Sequence, residues 1–413
     1  MARTRAYTRS VRTRFPPRAT PTVALVHDFL VDVRGAERVF FEICDLYPEA
    51  DVYSPIYDRH GTEGRLGGRE VHTSFLQRVH PGKRTFRGLL PLYPAAIRSF
   101  DLAAYELVIS SSSAWAHAVR VADGATHVCY CHNPFRYAWN ERDATLAARR
   151  SPLIRRALGA FLDRWRDWDR QAARRVDAYL ANSHTTQRRV RECFGRESAV
   201  VHPPVDTRRF ARGEVGDHHL VLSALMAHKR IDVAIEAFNR LGLPLVVAGA
   251  GPDEARLRSL AGPTISFAGR VDDQRAAQLL ASARAVVVPS VEEFGIVAVE
   301  AQAAGRPVLA VGEGGALETV VDGETGALWR GGVDGLVAAV LDYDADGVDP
   351  EACVASARRF DSEVFGVEFP QAVEAAVADA VATRPAGVQT AAVNGNGRID
   401  APAYGDPRGT RIS

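Results

Sequence analysis

The chain has 413 residues, 46% of them hydrophobic and 24% charged, with a formal net charge of +1 at pH 7. That length predicts two to three domains with enough apolar content for their cores, which excludes a disordered or fibrous chain. Residues 1–20 hold six arginines and no acid, leaving 1 − 6 = −5 for the remainder, so there is no overall basic field and nucleic-acid binding is not expected.

The first twenty residues read as a disordered basic tail, with a transit peptide as the rival; no apolar core follows that would make them a secretory signal. No apolar run approaches the ~20 residues needed to span a bilayer. The cysteines, Cys44, Cys129, Cys131, Cys193 and Cys353, are odd in number and lack the spacing of a two-pair zinc site, which makes a reducing cytoplasm the expected location.

From Thr22 onward, short β-rich runs alternate with helical patterns. The first series is VALVHDFL, a helix from Gly35 to Leu46, ADVYSPIY, YELVISSS, THVCYCH and AYLANS. The second is HLVLSAL, the helix IDVAIEAFNRL, PLVVAGAG, the helix DEARLRSL, ISFAGR, the helix DDQRAAQLLASA, AVVVPS, a helix after Gly295, and PVLAV. Such alternation predicts parallel sheets covered by helices on both faces, and two series predict two Rossmann-like domains. The join is expected near VVHPPVDTRRF, where Pro203 and Pro204 interrupt both helix and ladder. This divides the chain into a first domain at 21–204 and a second at 205–355. A helix at 356–382 then crosses back over the join, and a Gly-, Pro- and Asn-rich tail at 383–413 is expected to be disordered. The cleft between the domains is the default binding site.

In the segment RRSPLIRRALGAFLDRWRDWDRQAARRV, Ile154, Leu158, Phe161, Trp165 and Trp168 fall at helical spacing among arginines. Two placements follow, on a membrane surface or packed on the first domain, and packing is the preferred one.

Several motifs fail on inspection. Gly249 and Gly251 follow a strand as in a dinucleotide fingerprint, but position 254 is Glu and Pro252 removes an amide. The run DYDADG imitates a calcium loop, but its twelfth position is Cys353 instead of Glu. No metal site and no cofactor are expected.

The stretch PSVEEFGIVAVEAQAAGRPV is different. An apolar strand, a Gly corner and a helix form the geometry in which doubly wound sheets hold ligands at their carboxyl ends. Glu293 is well explained as a helix cap. Glu292 and Glu300 are not, because Glu300 lies about a turn inside a helix whose face is otherwise small and apolar.

These residues carry a family resemblance. EEFGIVAVEAQAAGRPV resembles the Glu-x7-Glu signature of retaining glycosyltransferases of family 4, with Glu292 and Glu300 as its acids. RGAERV, YCHNPFRYAW, ANSHTTQRRV, VVHPPVD, HKRIDVAIEAF and AGAGPDEARLR are similar to family segments in the family's order, covering roughly Val23 to Ala382. YCHNPFRYAW and PLYPAAIRSFDLAAYELVISSS are similar to the branch described as mannosyltransferases.

The resemblance implies an α/β protein of GT-B arrangement, with two facing Rossmann-like domains, the nucleotide-sugar held by the second and the acceptor by the first. Glu300 is then expected to bind the ribose diol, and Glu292 hydroxyls of the donor sugar. The backbone at Phe294, Gly295, Ile296 and Val297 meets sugar and phosphate oxygens. Lys229, with Arg230 beside it, faces the diphosphate, and Gly35 lets the first domain approach closely. His132 is placed near the transferred sugar. One departure is Ala224, where the family often carries Arg; Arg230 or Arg34 is the expected compensation.

The implied activity is retaining, metal-independent hexosyl transfer, mannosyl from GDP-mannose, to a lipid-linked or oligosaccharide acceptor in polysaccharide or glycoconjugate synthesis. The expected location is cytoplasmic, with peripheral contact at the inner membrane face. The alternatives are a nucleotide-sugar epimerase of the same fold and an inactive nucleotide-sugar-binding homologue.

Overall fold

The computed structural model describes residues 21–79 and 86–384. The basic start and the Gly-, Pro- and Asn-rich end beyond residue 384 lie outside the described residues.

The first sheet has seven parallel strands: β1 (Val23–His27), β2 (Asp51–Ser54), β3 (Val71–Thr73), β4 (Leu107–Ser112), β5 (Thr126–Cys131), β6 (Ala178–Ala181) and β7 (Ser198–Val200). Their spatial order is β3-β2-β1-β4-β5-β6-β7. The second sheet has six parallel strands: β8 (His219–Leu222), β9 (Leu245–Ala248), β10 (Ile265–Gly269), β11 (Val286–Val288), β12 (Val308–Val311) and β13 (Gly326–Trp329). These run β10-β9-β8-β11-β12-β13. Every residue of β4 and β5 is buried, as expected for central strands covered on both faces.

Both sheets reverse strand order between their first and fourth strands, at β1/β4 and at β8/β11. Ligand crevices form outside the carboxyl ends of strands at such switch points. The chain leaving β1 leads to the loop before Gly35, and the chain leaving β11 leads to Glu292 and Glu293.

The two sheets are joined at residues 201–206, which run beside the end of the second domain. Val205 donates its amide to the Phe360 carbonyl at 2.9 Å and accepts from the Ser362 amide at 3.1 Å. Asp361 caps the helix Ser362–Thr383, accepting from the Glu363 amide at 2.9 Å. Phe365, Phe369 and Val373 of that helix enter the first domain's core beside Leu25, Phe40 and Tyr130. The helix thus ties the end of the second domain onto the first.

The arginine-flanked helix spans Pro152–Ala173 and divides along its length. Its second half packs on the first domain, with Leu162 and Trp165 buried and Leu158 and Trp168 against the same core. At its start Leu153 is 80% exposed, Ile154 58% and Phe161 39%. No helix among the described residues is long and apolar enough to cross a membrane.

The glycines of AGAG serve packing. A Cβ at Gly249 would lie 1.8 Å from the Ser223 carbonyl oxygen, and one at Gly251 would lie 2.1 Å from that of Leu225. Only glycine lets this turn lie against the chain leaving β8.

Candidate functional site: the edge between the two domains

The acidic loop after β11 is held by backbone contacts that side chains would block. The Gly315 amide donates to the Glu292 carbonyl at 2.8 Å. A Cβ at Gly314 would lie 2.4 Å from that same oxygen, and one at Gly315 would lie 2.2 Å from the Phe294 carbonyl oxygen. Gly295 turns the chain into the helix Ile296–Ala303 with φ of +94°, a conformation suited to glycine. The Phe294 side chain is buried against His202 and Phe360, so it anchors the loop from below. The amides of Ile296 and Val297 begin the helix, where no carbonyl four residues back lies within it.

The three carboxylates face three environments. Glu292 accepts two hydrogen bonds from Lys229 Nζ, at 2.8 and 2.6 Å, and one from Ser290 Oγ at 2.5 Å. Burial works against ionisation of Glu292, but the Lys229 charge and these hydrogen bonds outweigh it and hold the carboxyl below its usual range. Glu293 reaches across to the first domain, accepting from Arg189 at 2.9 Å and Arg136 at 3.3 Å. The cap expected of Glu293 is therefore not what its side chain does; the guanidinium pair draws it outward and Gly295 stands at the cap position.

Glu300, one turn into the helix, is partly buried, and among the described residues its carboxylate has no hydrogen bond or ion pair. Burial pushes its carboxyl above the usual range, against the opposing charges of Arg38 and Arg209. Nearby, Arg38 of the first domain donates to Asp273 of the second at 2.5 and 3.2 Å. An acid with two acceptor oxygens and no protein donor is suited to a ligand's hydroxyl pair.

Opposite lies the first domain's strand-end face. A Cβ at Gly35 would come within 3.3 Å of Ile296 Cδ1, so the glycine loop meets the start of the second domain's helix. His132 follows β5 and is buried. Its Nε2 is 2.8 Å from Ser111 Oγ, which is 3.1 Å from His27 Nδ1. Burial, with a smaller push from His27, pulls the His132 imidazole down to about 3, so it is neutral at pH 7. Asp28 caps the adjoining turn, accepting from the amides of Ser113, Trp115 and Ala116 at 2.5, 3.0 and 2.6 Å.

Other residues stand apart. Arg34 pairs with Asp32 at 3.4 Å and Arg230 with Asp232 at 3.5 Å, both half-exposed or more, and neither bonds to the Lys229–Glu292 pair. Ala224 is exposed. Sequence reasoning missed Arg136, Arg189, His27 and Ser111. The last two could have been found as polar residues ending buried parallel strands.

A second contact joins the domains near the crossover. Glu318 accepts from the His184 and Thr185 amides, at 3.0 and 3.3 Å, and lies 3.0 Å from His202 Nε2. Among the described residues no group of three or more His, Cys, Asp or Glu is arranged to hold a metal ion.

The family described as Glycosyltransferase Family 4 matches residues 33–209, and that described as Glycosyl transferases group 1 matches residues 217–346. The D-inositol 3-phosphate glycosyltransferase of Streptomyces scabiei is 34% identical over 212 residues, in a match that covers 43% of this chain and 48% of that protein. The chain thus spans about half the length of the curated relatives it matches. Among solved structures, sucrose-phosphate synthase from Thermosynechococcus elongatus aligns with a TM-score of 0.66 at 15% identity, covering 87% of this chain and all of that one. HepE from Anabaena, in complex with UDP-glucose, aligns with a TM-score of 0.62 at 18% identity, covering 86% of this chain and 99% of that one. At these identities the likeness is one of fold. With both sheets, the acidic loop and the two matched halves in agreement, the chain belongs to the family 4 glycosyltransferases of GT-B fold.

Proposed function

We propose that the protein transfers a hexosyl group from a nucleoside-diphosphate sugar to an acceptor hydroxyl with retention of configuration. The observation that carries this reading is the arrangement along one helix edge: Glu292 held by Lys229, and Glu300 with acceptor oxygens but no protein donor. The ribose diol would bond to Glu300, and the sugar hydroxyls would take Glu292, freeing Lys229 for the diphosphate. In the step itself the bond from C1 to the leaving phosphate oxygen breaks with its electron pair on that oxygen. The acceptor oxygen bonds to C1 on the same face, and its proton passes to the leaving phosphate. Lys229 and the helix amides stabilise the charge that develops, a role that needs no metal. His132, neutral and fixed by Ser111, would contact the sugar.

Within this reading the transferred group is mannosyl from GDP-mannose, and the acceptor is lipid-linked or an oligosaccharide in polysaccharide or glycoconjugate synthesis. UDP-glucose, bound by HepE, is the first rival donor. The name of the Streptomyces relative adds a phosphorylated polyol as a rival acceptor. The protein would work in the cytoplasm, touching the inner membrane face through the start of the helix Pro152–Ala173.

The test is release of nucleoside diphosphate from GDP-mannose or UDP-glucose, with and without added acceptor, in EDTA. Acceptor-dependent release is expected. Interconversion of sugars without transfer would identify an epimerase, binding without turnover an inactive homologue, and activity restored only by magnesium or manganese would overturn metal independence.

A further inference from the structure

On the second domain's side of the Glu292 edge, one cation among the described residues contacts the acid, Lys229. Ala224 brings no charge, and Arg230 turns away to Asp232. The first domain, however, sends a guanidinium into the same place. Arg136 follows β5 on the segment that also carries His132, and Phe135 fixes this segment by packing on Trp115 and Trp165 at ring distances of 5.9 and 5.2 Å. Across the domain edge, Arg136 contacts His228 Nε2 at 3.0 Å and Glu293 at 3.3 Å. These two residues are the immediate chain neighbours of Lys229 and Glu292.

Resting on the transferase reading above, we propose that Arg136 is the second diphosphate-binding cation, delivered by the first domain in place of the one absent at position 224. His228 fits the role of a guide. Burial, then the charges of Arg136 and Lys229, pull its imidazole down to about 4, so at neutral pH it accepts from the guanidinium and does not repel it. Glu293 holds Arg136 and Arg189 together, and Arg189 remains to satisfy it when Arg136 swings to a phosphate. A guanidinium has five donors in a planar fork, enough to keep one protein contact while binding a phosphate. Because Arg136 belongs to the first domain, the diphosphate would be fully neutralised only when the domains face each other as they do here. Activation of the leaving group is thereby tied to closure over the acceptor.

Calorimetry with nucleotides tests this without knowledge of the acceptor. GDP, GMP, UDP and UMP would be titrated into the wild type and into Arg136→Ala, Arg136→Lys, Arg189→Ala and the double variant Arg136→Ala/Ala224→Arg. The expected result is that Arg136→Ala weakens the diphosphate by about tenfold or more, equivalent to 1.4 kcal/mol, and leaves the monophosphate unchanged. Arg136→Lys should lose less, Arg189→Ala, which leaves Glu293 to Arg136 alone, should lower the ratio of the two by less than Arg136→Ala does, and Ala224→Arg should restore it, a gain that misfolding cannot imitate. If Arg136→Ala leaves the diphosphate-to-monophosphate ratio as in the wild type, or Arg189→Ala changes it equally, Arg136 is only a domain latch and the proposal fails. Absence of all nucleotide binding by the wild type would instead remove the transferase reading, and this proposal with it.

Discussion

Gly35 of the first domain and Ile296 of the second face each other so closely that a single added methyl at Gly35 would sit 3.3 Å from Ile296 Cδ1. Isoleucine can yield a few tenths of an ångström, so Gly35→Ala should be tolerated, whereas Gly35→Leu should hold the domains apart. A misplacement of about 1 Å at a reacting centre costs of order 10²-fold in rate. The leucine variant should therefore lose turnover steeply and, with Arg136 drawn away from the second domain, lose diphosphate affinity as Arg136→Ala does, while its monophosphate affinity changes little. Unchanged turnover would show that the reaction does not need this approach.

Glu300 makes opposite demands on stability and on binding. A carboxyl whose folded pKa lies above its unfolded value binds more protons in the folded state between the two, so stability falls as pH rises through that window. The push on Glu300 is upward, and at neutral pH its ionised form works against the fold. Glu300→Gln should hold or raise the melting temperature. Wild-type nucleotide affinity should fall on acidification, starting above the pH at which an ordinary carboxyl titrates, and the glutamine variant should lack that limb. A clear drop in melting temperature in the variant would contradict this assignment.

His132 should act as a neutral group. With its imidazole pulled down to about 3, activity between pH 5 and 8 should show no limb that His132→Gln removes. His132→Ala should lower turnover far more than donor affinity, because a group at the reacting centre contributes chiefly in the transition state. Kinetics paired with thermal melts decide the matter: an equal loss of stability and activity would return His132 to a structural role.

The exposed start of the helix Pro152–Ala173 should prefer anionic lipid. Leu153, Ile154, Ala157 and Phe161 share one exposed face, and from Arg149 to Leu162 there are four arginines and no acid. Co-sedimentation should show stronger binding to phosphatidylglycerol-containing vesicles than to phosphatidylcholine alone. Leu153→Ser/Ile154→Ser should abolish that preference without lowering the melting temperature. Equal retention of the double variant would place the membrane contact elsewhere or exclude it.

Much of the fold was legible because buried parallel strands read as apolar runs: VALVH, LVISSS and VVV need no partner to be recognised. The edge strands β3, β7 and β13 were missed. They are three or four residues long and partly exposed, so pairing with one neighbour defines them more than their own pattern does. At the site, the acids were visible as charges inside an apolar stretch. Their partners were not, since Arg136 and Arg189 stand 157 and 104 positions before Glu293 and meet it only when two domains pack. The helix Pro152–Ala173 was ambiguous for a physical reason: its second half buries Leu162 and Trp165 on the first domain, while Leu153 and Ile154 at its start stay exposed.

The most direct measurement of the central claim is calorimetric titration of GDP-mannose and UDP-glucose into the wild type and Glu300→Gln. One saturable site per chain is expected for at least one donor. Loss of a charge-assisted contact of roughly 1.5–3 kcal/mol should weaken it by at least tenfold in the variant. No binding of either donor to the wild type, or equal affinity in the two proteins, would contradict a nucleotide-sugar site built on Glu300.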